Sequence, residues 1–273
     1  MTAAPHAGAL APAESQRLKE RRSPTLVKSA DRTMQVLEFM SDHPAGVSLT
    51  ELQRELSIPK SSLHGLLQTL VGRGWLETDR RGTIYGIGLR ALRIGATFLD
   101  RDPVVDAAGL VLTHVRSQIN ETVHLARLDG ADVVYLVSKE SAHHLRTSSR
   151  IGRRLPAHAT ALGQVLLAAR TSEELDAILP EKLAALTSET ITDRPGLDEE
   201  LARTRERGWA YERGQNTPGL CCMAVAVPDC HPAMDALSCS IPLVRLTDDH
   251  RVQVIDALTH AADELGHATR RTN

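Results

Sequence analysis

Residues 59–70 read PKSSLHGLLQTL, and the order of apolar and polar residues in this stretch indicates a helix. Leu63, Leu66, Leu67 and Leu70 recur at the i, i+3, i+4 and i+7 spacing that places side chains on one face of an α-helix. Pro59 suits the first turn, because its missing N–H would have no partner there. The stretch therefore predicts a short helix with one face packed against a core.

The other face of this helix is polar but carries no carboxylate. A solvated face usually mixes Glu with Lys and Arg. Gly65 lies at its centre, where glycine costs about 1 kcal/mol relative to alanine, and close approach to a large anionic partner would offset that cost. We expect the polar residues of this face to contact DNA: Lys60, Ser61, Ser62, His64 and Gln68.

Two helices are predicted before this stretch. The segment SADRTMQVLEFMSDHP has a recurring apolar face, formed by Ala30, Met34, Leu37 and Met40. A second helix, LTELQRELSI, follows Ser48, and Glu51 lies three residues after that serine. This spacing predicts a capping box at the start of the second helix.

A β-hairpin is predicted after the third helix. Residues 75–87 alternate between apolar and polar residues around the turn DRRG. Three helices and a hairpin form a winged helix-turn-helix, which we place at residues 25–88. In that fold the third helix enters the major groove, and Arg80 and Arg81 at the tip of the wing approach phosphate. The alternative is a small helical subdomain with a solvated face.

The composition limits the function classes open to the chain. Its 273 residues are 42% hydrophobic, which is enough for buried cores. The first 100 residues hold 13 Lys and Arg against 10 Asp and Glu, which permits a DNA-binding front half. The 3% aromatic content argues against stacking platforms for RNA or single strands. No apolar run approaches about 18 residues, so we expect a cytoplasmic protein with no membrane partner.

Residues 1–24 are rich in Ala and Pro and end in the basic run RLKERRSP. The segment lacks the apolar content needed to form a core, and it is therefore predicted to be a disordered tail. The alternative for its basic run is an arm that reaches into a DNA groove.

The pattern changes in the second half of the chain. Residues 89–103 predict a linker helix with an exposed apolar side. Residues 104–268 then combine a long helix, the hairpin pattern TVHLARLDGADVVYLVSK, the buried helix HATALGQVLLAAR and the strands CCMAVAVP and DALSCSIP. This mixture predicts an α+β domain built on an antiparallel sheet.

Four cysteines lie close together in the sequence: Cys221, Cys222, Cys230 and Cys239. Their spacing contains no C-x-x-C and matches no ordinary zinc site, so we predict no metal site and no cofactor. We interpret them as small buried residues and pocket residues. The alternative is a thiol-based redox-sensing regulator that uses this cluster.

Six segments in order, spread over both halves of the chain, resemble the IclR family of bacterial transcriptional regulators. They read SSLHGLLQTLVGRGWL, YGIGLRALRIGATFL, ETVHLARLDGADVVYL, IGRRLPAHATALGQVLLA, RERGWAYERGQNTPGLCCMAVAVPD and LSCSIPLVRLTDDHRV. The resemblance implies a winged helix-turn-helix, a linker helix and a C-terminal GAF-like effector domain that binds a small organic metabolite. It also implies a homodimer or a dimer of dimers.

Three positions depart from the family pattern. Gly65 stands where family members usually have arginine, so DNA contacts must rely on the other residues of the helix and on the wing. Gln164 stands in place of the lysine of a Gly-Lys pair, and Glu212 stands where aspartate is common. The DNA-binding prediction survives these changes, whereas the effector cannot be assigned by analogy.

The resemblance also implies an effector site. In related proteins the metabolite touches backbone N–H groups at positions that match Ala161 and Leu162, at the start of a helix whose dipole suits a carboxylate. The matching side chains are Glu212, Cys222, Ser238 and Ser240. Ser238 and Ser240 alternate with Cys239 and so share one face of a strand. We expect a small carboxylic acid, aromatic or a short keto acid, although an ionised Glu212 would repel it.

These observations predict a ligand-responsive transcriptional regulator that binds a pseudo-palindromic operator in double-stranded DNA. An enzyme is the rival class, with Cys222 as a thiol nucleophile and His124, His158 and Glu212 as its base and orienter. No sequence feature brings these four residues together, and a fold alone establishes no chemistry. We therefore predict no enzymatic activity.

Overall fold

The computed structural model describes residues 26–148 and 150–270, so the predicted tail at 1–24 lies outside the described residues. The chain divides into two compact units between Arg93 and Ile94. Each unit has its own hydrophobic core. Within the described ranges no helix is both long enough and apolar enough to cross a membrane.

The N-terminal unit is a winged helix-turn-helix. Its helices are α1 (Lys28–Ser41), α2 (Leu49–Leu56) and α3 (Lys60–Gly72), and its strands are β1 (Val47–Ser48), β2 (Leu76–Thr78) and β3 (Ile84–Ile87). The strands form an antiparallel sheet in the order β1-β3-β2. The core residues come from all three helices and the sheet: Val36, Met40, Val47, Leu52, Ile58, Leu63, Leu67, Leu70 and Leu76. The predicted fold of this half is confirmed.

The apolar face of α1 differs from the prediction. Val36 and Met40 are buried, whereas Met34 is 58% exposed and Ala30 is also exposed. Of the predicted face, Met40 is buried and Leu37 packs against the core, so the prediction holds in the C-terminal half of α1 and fails for Ala30 and Met34 in the N-terminal half. In α2 the Ser48 hydroxyl accepts a hydrogen bond from Glu51 N at 3.2 Å, which is the N-cap half of the predicted capping box; among the described contacts the Glu51 carboxylate does not accept the reciprocal hydrogen bond from Ser48 N.

Helix α4 (Leu89–Arg101) buries none of its residues although it contains three leucines, one isoleucine and one phenylalanine. Asp102 ends it and caps the next helix, α5 (Pro103–Ile119), by accepting hydrogen bonds from Val104 N and Val105 N. Pro103 then occupies the first turn of α5, where proline is tolerated. The predicted linker at 89–103 thus contains all of α4 and the first residue of α5.

The C-terminal unit is built on a six-stranded antiparallel sheet in the order β6-β5-β4-β9-β8-β7. The strands are β4 (Thr122–Asp129), β5 (Asp132–Lys139), β6 (Arg154–Pro156), β7 (Ala210–Arg213), β8 (Leu220–Ala226) and β9 (Asp235–Pro242). The remaining helices are α6 (Ala161–Ala168), α7 (Ser172–Ile178), α8 (Arg194–Arg207) and α9 (Asp248–Arg270). The predicted α+β class with an antiparallel sheet is confirmed.

The sheet separates two apolar clusters. One cluster joins α5 and α9 to residues such as Leu125, Met223 and Cys239. The other joins α6, α7 and α8 to residues such as Ala126 and Ala224. Successive residues of a strand point to opposite faces, so the residues between Leu237 and Ile241 alternate between the first cluster and the side of α6.

Candidate functional site

The polar face of α3 is accessible. Lys60, Ser61, His64 and Gln68 are exposed, whereas Ser62 is half-buried and accepts a hydrogen bond from Arg32 Nη1 at 3.1 Å. Four of the five predicted DNA-contacting residues of this helix are therefore free to meet a partner, and Ser62 is tied to α1.

Among the described residues, none packs closely enough against position 65 to require glycine there. A Cβ built at this position would meet nothing within 4 Å outside its own helix. The space above Gly65 is open, so the backbone of α3 is accessible to a surface that approaches it closely.

The wing has a rigid tip. The Asp79 carboxylate accepts hydrogen bonds from Thr83 N at 2.7 Å and Ile84 N at 3.0 Å. These two N–H groups are the main reason that the pKa of Asp79 lies below its ordinary value. Arg80 and Arg81 are exposed in the turn, and among the described residues neither has an ion-pair partner. The wing thus presents two uncompensated cations on a fixed loop.

The C-terminal unit contains a cavity of about 400 Å³ beside the start of α6. The structure brings together all six residues of the predicted effector site, because each of them lines this cavity: Ala161, Leu162, Glu212, Cys222, Ser238 and Ser240. The volume of the cavity lies at the small end of the range typical of ligand pockets, about 300–1,000 Å³.

The N-terminus of α6 offers free donors to the cavity. The Thr160 hydroxyl caps the helix by accepting from Gly163 N at 3.0 Å, and Gln164 N donates to the Thr160 carbonyl at 2.9 Å. Among the described residues no acceptor serves the N–H groups of Ala161 or Leu162. Two unpaired amides at the positive end of a helix dipole form a favourable position for an anion.

Glycine is required at the start of α6. A Cβ on Gly163 would lie 2.1 Å from the Ala157 carbonyl oxygen, a distance that no side chain can occupy. Because the helix and the turn before it touch backbone to backbone here, the position of the two free amides is firmly held.

Hydroxyl and thiol groups line the strand side of the cavity. Ser240 on β9 pairs with Cys222 on β8, and the Cys222 Sγ lies 3.3 Å from the Ser240 Oγ. Ser238 pairs with His124 on β4, and His124 also lines the cavity. Cys239 points to the opposite face, into the core with α5 and α9.

Glu212 on β7 is buried at the cavity wall and accepts a hydrogen bond from Gln215 N at 2.9 Å. Burial raises its pKa to about 7, in spite of hydrogen bonds that favour the ionised form. The carboxyl group is therefore partly protonated near neutral pH, and its neutral form donates a hydrogen bond instead of repelling an anion.

Several cavity residues are absent from the predicted effector site: His124, which the sequence suggests only as a catalytic base, and Tyr135, Arg146, Thr147 and Arg153. Burial lowers the pKa of His124 to about 4, with the nearby charge of Arg153 as the next cause, so this ring is neutral at physiological pH. His124 Nδ1 lies 2.9 Å from the Ser138 Oγ, and its ring makes an edge contact with Tyr135 at 4.9 Å between centroids. The presence of His124 at the cavity follows from its pairing with Ser238 across the sheet.

The alternatives based on thiol chemistry find little support in the geometry. Burial raises the pKa of all four cysteine thiols, to about 11 for Cys221, so none is activated as a thiolate. Of the imagined catalytic set, Cys222, His124 and Glu212 share the cavity, whereas the His158 ring bonds the Ala184 carbonyl at 3.0 Å. Across the described ranges no group of three His, Cys, Asp or Glu side chains is placed to bind a metal ion.

A winged helix-turn-helix followed in the chain by a domain with a polar cavity is the architecture expected of a DNA-binding regulator with a sensory domain. Comparison with known proteins identifies the family within this class. The model of the IclR helix-turn-helix domain matches residues 29–80, and the model of the bacterial transcriptional regulator IclR C-terminal domain matches residues 96–267. The chain belongs to the IclR family of transcriptional regulators.

Similar proteins agree with this assignment. The transcriptional repressor IclR of Escherichia coli is 31% identical over 88% of this chain and 89% of its own length. The regulator BhcR of Paracoccus denitrificans is 32% identical over 90% of this chain and 89% of its own length. The crystal structure of an IclR transcriptional regulator from Alicyclobacillus acidocaldarius, 24% identical, shares the fold with a TM-score of 0.79 over 89% of this chain and 99% of that chain. The curated relatives named here are transcriptional regulators and not enzymes.

Proposed function

We propose that this cytoplasmic regulator binds a pseudo-palindromic operator as a homodimer or a dimer of dimers, and that a small organic acid in the cavity of the C-terminal unit changes its affinity for that operator. The observation that carries the proposal is the cavity itself, which combines two free amides of α6 with hydroxyl, thiol and partly protonated carboxyl groups.

The DNA contact is assigned to two surfaces of the N-terminal unit. The exposed polar residues of α3 enter the major groove, where Gln68 is suited to the edge of adenine. Arg80 and Arg81 contact phosphate, since their charges have no ion-pair partner in the described part of the chain. The open space above Gly65 allows the helix to lie close to the duplex.

Dimerisation is assigned to α4. One winged unit reads only a few base pairs, so useful specificity requires two copies on a symmetric site. Leu89, Leu92 and Phe98 on α4 are 72%, 66% and 52% exposed, and α4 buries no residue within the chain. A second copy of the same helix is the partner that would cover this surface in a symmetric pair.

The acid is assigned to the space between α6 and β9. Its carboxylate accepts hydrogen bonds from the Ala161 and Leu162 amides, while Ser238, Ser240 and Cys222 contact its other polar atoms. Neutral Glu212 donates a further hydrogen bond. All of these groups line the same cavity. This arrangement supports a single ligand bound in a single position.

The test measures operator affinity with and without acids. Duplexes selected from a random library serve as the operator, and pyruvate, benzoate and succinate serve as probe acids. We expect at least one acid to change the affinity by roughly 5- to 150-fold, the usual range of allosteric coupling. Ser238→Ala with Ser240→Ala removes two hydroxyls from the cavity and should abolish the response while leaving operator binding without acid intact.

Ser117→Ala with Ser188→Ala is the matched control, because both of these serines are exposed and lie outside the cavity. It should respond to the acid like the original chain. A normal response of the Ser238, Ser240 double variant would show that the effector binds elsewhere.

A further inference from the structure

Arg153 is one of two described arginines that line the effector cavity, and the proposed ligand contacts use neither of them. It is half-buried at the cavity wall, beside Tyr135 and Leu155. Its backbone carbonyl accepts a hydrogen bond from Tyr135 N at 3.0 Å, which fixes the residue against the edge of β5.

The register of β6 explains why Arg153 faces the cavity. Val133 pairs with Leu155 and Val134 pairs with Arg154, so the residues on either side of Arg154 share the opposite face. Leu155 and Arg153 both line the cavity. Arg154 points the other way and pairs with Asp129 at 2.7 Å and Asp132 at 3.0 Å. Arg153 and Arg154 are adjacent in sequence, but Arg153 faces the cavity whereas Arg154 faces the two aspartates on the other side.

Among the described residues around the cavity, Arg153 has no counter-charge. Arg146, the other arginine of the wall, pairs with Glu140 at 2.8 Å. His124 is neutral, and Glu212 is only partly ionised near neutral pH. In the described part of the chain no carboxylate lies within ion-pair distance of Arg153. A half-buried cation without a partner is costly, and an anion brought by the ligand would relieve that cost.

We propose that Arg153 binds a second anionic group of the effector, so the ligand is a short dicarboxylic acid and not a monocarboxylic one. This inference rests on the proposed effector site, in which the first carboxylate meets the amides of α6. Arg153 then determines specificity, because a guanidinium and a carboxylate form two parallel hydrogen bonds that an ester or a methyl group cannot replace. The cavity of about 400 Å³ suits such a small acid.

The experiment compares diacids with their own half-esters. Malonate, succinate and glutarate, together with their monomethyl esters, are titrated into the full-length protein at about pH 7, where both carboxyl groups are ionised. Binding is measured by isothermal calorimetry. We expect at least one diacid to bind tenfold or more tightly than its monomethyl ester, which keeps the size of the ligand and removes one charge.

Arg153→Gln should remove that preference. The affinity for the diacid should fall roughly tenfold or more, as expected for the loss of a charged hydrogen-bonded pair, whereas the affinity for the half-ester should change less than about twofold. Arg153→Lys keeps the charge and should retain part of the preference. Arg213→Gln removes the same charge from an exposed position outside the cavity and should bind like the original chain. Melting curves of each variant establish that it is folded.

The two proposals fail in different ways. If half-esters bind as tightly as diacids, and Arg153→Gln changes neither, the effector site stands and the role of Arg153 is overturned. If no acid of the panel binds up to about 10 mM while pyruvate or benzoate changes operator affinity, the dicarboxylic ligand and the role of Arg153 are overturned and the effector site stands. If none of these acids binds or changes operator affinity, the assignment of the cavity to carboxylic acids fails, and the inference about Arg153 fails with it.

Discussion

At the scale of single residues, the ionisation of Glu212 is coupled to the folding of this domain. Its carboxyl is 2% exposed and lies on β7 against the cavity. Its folded pKa of about 7 lies above the ordinary value of 4.5, chiefly because burial disfavours the charge. Between these two pKa values the folded chain holds a proton that the unfolded chain releases.

The sign of the effect on stability follows from this difference. Because the folded state binds more protons between about pH 4.5 and about pH 7, the free energy of unfolding should fall as the pH rises through this window. Glu212→Gln removes the titration, so the difference between the original chain and this variant should change by a few kcal/mol at most, on the order of 1.4 kcal/mol per pKa unit.

Urea unfolding of the two proteins across this pH range measures the difference. Glu206→Gln is the control, since Glu206 is exposed on α8 and lies outside the cavity. A pH-independent difference between the original chain and Glu212→Gln would mean that the carboxyl has an ordinary pKa in the folded state.

At the scale of secondary structure elements, α3 and the wing should contribute differently to DNA binding. Arg80→Ala or Arg81→Ala removes a phosphate contact, so affinity should fall for all sequences and the slope of log affinity against log salt should shrink by about 1. Gln68→Ala removes a base contact, so it should change the preferred base at one position and leave the salt slope unchanged.

Fluorescence anisotropy with selected and scrambled duplexes, over a range of salt concentrations, distinguishes the two effects. Arg213→Ala in the C-terminal unit serves as the charge-matched control. Unchanged binding by a Lys60→Ala, Gln68→Ala double variant would remove α3 from the DNA interface.

The helices and long strands could be predicted because their patterns are long. Four leucines in α3 repeat with the helical period, and the alternation of Ser238, Cys239 and Ser240 shows which residues of β9 share a face. Strand β6 could not be predicted, since it has three residues, Arg154–Pro156, and exists only through its pairing with β5. The orientation of Arg153 depends on that pairing, which is why this cavity residue was missed.

The prediction of the buried residues of α1 was incomplete for a different reason. The period of apolar residues in α1 is helical, but it does not reveal which end of the helix meets a core. Similarly, the sequence shows that residue 212 is glutamate, but it does not show that the side chain is buried. The pKa of a carboxyl group depends on its burial and its neighbours. Local pattern therefore predicted the elements, and the family resemblance supplied the candidate effector residues, whereas packing determined the chemistry of those residues.

At the scale of the whole molecule, self-association should be necessary for tight operator binding. Leu92 is 66% exposed on α4, and Leu92→Glu places a charge in the proposed seam between two copies. We expect this variant to be monomeric at micromolar concentration by light scattering and to bind the operator at least tenfold more weakly, because two linked half-site contacts become one.

Gln118→Glu adds the same charge at an exposed position on α5 and should keep the oligomeric state of the original chain. The proposed seam would be refuted if Leu92→Glu formed the same oligomer as the original chain. A monomeric variant with undiminished operator affinity would instead refute the need for pairing.

The contact between Gly163 and the Ala157 carbonyl also restricts how such a sensor can diverge. Every other amino acid carries a Cβ, and a Cβ here would lie 2.1 Å from that oxygen. A mutation of this codon to another amino acid would therefore force the start of α6 to shift, together with the Ala161 and Leu162 amides to which we assign the carboxylate. Under this proposal, new effector preferences would instead arise through the side chains of the cavity wall, at positions such as 153 and 238.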